Sequence, residues 1–114
     1  MNPQLLMEKL DRCILALSKG NIELKTLGLK KAETEKNYRV ALAQEILKLK
    51  TEKYPATLII YMAKGSERVA TLRLNRDIAE SAYFVALDAV NNLRSEIEIL
   101  RSKLTWIRTE LKNS

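Results

Sequence analysis

Residues 77–112 read DIAESAYFVALDAVNNLRSEIEILRSKLTWIRTELK, and this stretch decides the fold. Ala79, Tyr83, Ala86, Val90, Leu93, Ile97, Leu100, Leu104, Ile107 and Leu111 follow one another at alternating steps of four and three. Heptad spacing of this kind lines apolar side chains along one stripe of an α-helix. Neither glycine nor proline interrupts it, so 77–112 is expected to be one helix about 50 Å long at 1.5 Å rise per residue. Ile99 and Trp106 widen the stripe, as do Phe84, Val85 and Leu87 near its start. A broad stripe needs several covering helices, and a narrow one needs a single partner.

Working back from there, Tyr38, Leu42, Ile46 and Leu49 share a face of a second long helix, expected over 24–53. Lysines and glutamates dominate its first half, which contains Gly28. The Tyr54–Pro55 step should end it, because the residue before proline is pushed out of the α region. An N-terminal helix is expected over 3–19, with Pro3 in its first turn and Leu6, Leu10, Cys13 and Leu17 on its stripe. Gly20–Asn21 is its expected stop, although a nearly straight run into the next helix is also open.

Residues 55–76 admit two readings. Thr57–Tyr61 and Val69–Leu74 could form a small β-hairpin around Lys64–Gly65. Alternatively, Pro55 opens a short helix that ends with Gly65 at C′, and Ser66 caps a second one. The whole is expected to be a single all-α domain: an elongated antiparallel hairpin of two long helices, coiled-coil-like, with an additional N-terminal helix and either short helical turns or a small hairpin at the bend.

Composition agrees. Three glycines and two prolines in 114 residues are too few for the many turns of a small barrel or sandwich. Histidine is absent and Cys13 is the only cysteine. This excludes histidine general-base chemistry, a four-cysteine zinc site and an intrachain disulfide. Cys13 lies on an apolar stripe, where it reads as a small buried hydrophobe. Glu33/Glu35 and Glu96/Glu98 are i, i+2 pairs that point apart on a helix. No phosphate-binding glycine loop is present. No catalytic residue, cofactor, metal site or small-molecule substrate is therefore expected. There is neither a transmembrane-length apolar run nor a secretory leader pattern, so the expected setting is the cytoplasm, with no membrane partner.

The net charge of +6 is uneven: +2 over 1–47, +5 over 48–76 and −1 over 77–114. A basic patch at the bend can attract an acidic protein face or a phosphate backbone. Lys50, Lys53, Lys64, Arg68, Arg73 and Arg76, with Tyr54 and Tyr61, are the candidate binding surface. Ordinary solvated charge is the competing reading. A 17-residue first helix cannot cover the whole heptad stripe, so Leu93, Ile97, Leu100, Leu104, Trp106, Ile107 and Leu111 are the candidate oligomer interface. A homodimer is the first expectation and a tetramer the second.

One pattern goes beyond periodicity. Asn37–Ala43, Glu45–Lys50, Tyr54–Ile59, Ala63-Lys64-Gly65, Val69-Ala70, Leu72-Arg73 and Arg76–Tyr83 together resemble a family of small helical proteins from phages and prophages of Gram-positive bacteria. The resemblance covers about residues 35–107. It implies an accessory protein in the host cytoplasm that acts by binding a protein of host or phage machinery, in some cases as an inhibitor. The alternative it implies is a nucleic-acid-binding factor in phage DNA replication or recombination. It carries no catalytic residues.

Overall fold

The computed structural model describes residues 2–113. It contains three helices: α1 (Pro3–Thr51), α2 (Ala56–Gly65) and α3 (Glu67–Asn113). No strand occurs among the described residues, so the hairpin reading of the bend falls.

α1 begins at a polar cap. The Gln4 N–H donates to Asn2 Oδ1 at 2.9 Å, satisfying one of the donors that a helix start leaves open. The expected stop at Gly20–Asn21 does not occur, and the segments 3–19 and 24–53 belong to one helix. The reason lies across the helix interface. A Cβ built on Gly20 would stand 3.1 Å from Val90 Cγ2. Gly20 thus permits a close approach between helices, and its φ is not positive. Packing of the flanking residues outweighs a glycine's helix cost of about 1 kcal/mol.

α1 ends at Thr51, in a Schellman motif built without glycine. The Lys53 N–H donates to Lys50 O at 3.0 Å, and the Tyr54 N–H to Leu49 O at 3.2 Å. Lys53 holds the left-handed φ of 64° that this motif requires. Pro55 follows and opens α2, as the helical reading of the bend expects. α2 runs through Gly65, which stays helical; the left-handed C′ position expected for it is not formed. Ser66, extended at φ −65° and ψ 142°, makes the break. It then starts α3: the Ala70 N–H donates to Ser66 O at 2.8 Å and the Val69 N–H to Ser66 Oγ at 3.4 Å. Glu67 in the first turn suits the positive end of the helix. α3 therefore starts ten residues before the expected 77, because Val69, Leu72, Arg76 and Ala79 carry the three-four spacing back to the cap.

The chain forms two compact units. One comprises the described residues through Lys25 and from Phe84 on; the other is 26–83. In the first, α1 and α3 run antiparallel, as the contacts Lys9–Glu96 and Gly20–Val90 show. Its core is Leu6, Cys13, Ile97 and Leu100, with Leu10, Leu17, Leu104 and Ile107 packed against them. In the second, α2 joins the two long helices. Tyr38, Ala41 and Val69 form one cluster, and Leu49, Ile59 and Ala63 another, with Leu42 touching both. On α3 positions 69, 72, 76, 79, 83, 86, 90, 93, 97, 100, 104 and 107 are sheltered at steps of three and four, the register of a coiled coil, with Ala82, Leu87 and Glu96 sheltered beside them.

Candidate interaction surface

The eight residues expected at the basic bend have two different fates. Arg76 is a structural residue. Its Nε and terminal nitrogen donate to Asp77 Oδ1 at 3.1 and 2.9 Å, and its Nε lies 3.5 Å from Glu35 Oε2. The guanidinium also sits 4.5 Å from the centre of the Tyr38 ring, a cation–π distance. The hydrogen bond to Asp77, above all, raises its pKa further, and Glu35 adds to the effect. At a seam position an unpaired arginine would be costly; here carboxylates and a ring face satisfy it.

The others lie at the surface. Arg68 donates to Gln44 Oε1 at 2.8 Å while staying exposed. Lys50, Lys53, Lys64 and Arg73 are exposed, as are Tyr54 and Tyr61. What the sequence reading missed is the apolar component beside them. α2 is ATLIIYMAKG, apolar on nearly every side, yet only Ile59 and Ala63 are buried. Leu58, Ile60, Tyr61 and Met62 remain 49%, 53%, 78% and 37% exposed. The signal was there to read: a ten-residue helix can turn only one narrow stripe to its neighbours, and this one has no polar face to turn to water. Lys53 and Tyr54 precede it and Lys64 lies in its last turn, so cations border the exposed apolar face.

The expected oligomer-interface residues also divide. Ile97 and Leu100 are buried, and Leu104 and Ile107 half-buried, in one cluster with Leu6, Leu10, Cys13 and Leu17 of α1 in the same chain; Leu93 is half-buried. The premise that a short first helix leaves this stripe bare is corrected. Because α1 passes unbroken through Gly20, Leu6, Leu10, Cys13 and Leu17 are aligned to cover it. Trp106 and Leu111 are the two of the seven that stay exposed.

Fold and surface define an all-α protein of long antiparallel helices in heptad register, with a short apolar helix between them. No family model matches the chain. No curated protein matches it. Nor does any solved structure. No helix among the described residues is long and apolar enough to cross a membrane.

Proposed function

We propose that the chain is a self-associating helical protein that acts by binding, and that its protein partner docks on α2. One observation carries this reading: Leu58, Ile60, Tyr61 and Met62 are exposed on a single short helix bordered by Lys53 and Lys64. Interface cores favour aromatic residues and methionine inside a polar rim. The cationic border selects a partner face with an apolar centre and acidic surroundings. The resemblance carried by 35–107 sets this in phage biology, as an accessory protein in the host cytoplasm engaging host or phage machinery.

The test is capture from infected or host cell extract with the wild-type chain and the double variant Leu58→Ser/Tyr61→Ser. Both positions are exposed, so the variant is expected to keep its helical circular dichroism. It should lose the captured partner. Equal capture by both proteins would refute the α2 reading.

A second reading has its own observation: Tyr54 and Tyr61 are exposed together with Lys53, Lys64, Arg68 and Arg73. Aromatic rings among cations can stack bases while the cations hold phosphates. It predicts retention of single-stranded DNA or RNA at low salt, lost in Arg68→Gln/Arg73→Gln. Arg76 stays unchanged in that variant, because its loss would disturb packing at Tyr38.

A further inference from the structure

The seam between α1 and α3 is not the only heptad stripe on α3. Val85, Asn92, Ile99 and Trp106 stand seven residues apart and all are exposed, the three apolar ones by 67%, 56% and 63%. Ala89, Glu96 and Lys103 fall between them, so steps of four and three run unbroken from Val85 to Trp106. At the far end Trp106 borders an open surface depression lined also by Lys103 and Ile107. Glu96, half-buried and paired with Lys9 of α1, lies where this stripe borders the first seam, while Val85, Ile99 and Trp106 face away from it. Apolar residues at heptad spacing outside the seam are the pattern of a helix packed on two sides. We propose that this stripe is the interface with a second copy of the chain, the two α3 helices running antiparallel across a two-fold axis. The inference rests on the self-association proposed above and gives it a surface, a direction and a register.

Complementarity within the stripe selects this occupant. With Asn92 opposite Glu96 of the second copy, the amide N–H donates to a carboxylate. Glu96 already holds Lys9 through Oε1 at 3.3 Å, which leaves Oε2 to accept. Ala89 then faces Ile99, small against large. Val85 faces Lys103, whose methylene stem can lie along the valine while the ammonium stays in water. The two-fold axis makes each pairing twice. A slip of one heptad sets Ile99 against Glu96 in one direction and Val85 against Glu96 in the other. Either would desolvate a carboxylate beside an apolar group. A parallel in-register pair would stack Glu96 on Glu96 and Lys103 on Lys103. A polar layer at the centre of the seam, flanked on each side by an Ala89–Ile99 layer, is a device that fixes register and direction in coiled coils.

The test uses the full chain with Cys13→Ala as background. Mild oxidation of Val85→Cys/Lys103→Cys should give a covalent dimer, while either cysteine alone should give none. In the same chain the two positions lie about 27 Å apart at 1.5 Å per residue, too far to join internally. Ile99→Glu, at an exposed site, should keep its helical spectrum and sediment at 13.1 kDa where the wild type sediments at twice that mass. Dimers cross-linked by Val85→Cys alone would overturn the antiparallel direction. A dimer that neither the paired cysteines nor Ile99→Glu affects would overturn this interface and leave self-association standing. A wild-type chain that sediments at 13.1 kDa at high concentration would overturn both.

Discussion

Lys53 and the helical glycines show backbone geometry dictating residue identity, not always with the best residue in place. Lys53 carries a left-handed φ at the end of α1, a conformation that costs a side chain roughly 1–2 kcal/mol. Its N–H and that of Tyr54 close the last turn, so the conformation is required whatever the side chain. Lys53→Gly should therefore stabilise the fold by about 1 kcal/mol in a thermal or urea melt. The glycines make a sharper comparison. A Cβ on Gly28 would meet Tyr83 Cε2 at 3.4 Å, an ordinary contact, so Gly28→Ala should gain most of the roughly 1 kcal/mol of alanine's helix preference. The same change at Gly20 drives a methyl to 3.1 Å from the buried, β-branched Val90, and overpacking should cancel the gain. A melt in which Gly20→Ala matches or exceeds Gly28→Ala would contradict the close approach of the helices there.

At the scale of elements, α2 separates a buried side from an exposed apolar one within one turn. Ile59 is buried against Leu49 and Ala63, whereas its neighbour Ile60 faces water. Ile59→Ala should cost about 3 kcal/mol in a denaturant titration and Ile60→Ala less than about 0.5. Comparable losses at the two positions would mean that α2 is packed on both sides. The ends of α2 were legible only within the helical reading of the bend, since the β-branched run Thr57–Tyr61 left a hairpin open to residue order as well. Proline fixes its own φ, and serine followed by an acidic residue is a local start signal. Gly20 was misread for the opposite reason. Its role depends on Val90, and no local pattern reveals what stands across a helix interface. The same holds for Arg76, which reads as one more cation of the bend until Glu35 and Tyr38 are brought beside it.

For the whole molecule, charge and stability are largely separate. The described residues bury no polar or charged side chain, and the ion pairs lie at partly or fully exposed sites. Exposed pairs contribute about 0–1 kcal/mol each and are screened by salt, while screening also relieves the self-repulsion of a +6 chain. Thermal midpoints at 0.05 and 0.5 M salt should thus differ by only a few degrees. A collapse at high salt would show that ion pairs hold the fold. The helical class, the heptad seam and the basic excess were all readable from residue order. The division between covered and bare apolar residues was not, because Ile97 and Trp106 look alike until a partner helix covers one and leaves the other.

Cys13 lies in the core of the first unit, 8% exposed, packed in one cluster with Leu6, Ile97 and Leu100. A thiol reagent can reach it only when α1 and α3 part, so the chain carries a built-in clock for that event. At saturating reagent the labelling rate reports how often the helices open, and at low reagent it reports the fraction of time they are open. Labelling of the native protein should run at least a hundredfold slower than that of the unfolded chain. If the stripe from Val85 to Trp106 joins two copies, the clock should slow further as protein concentration rises.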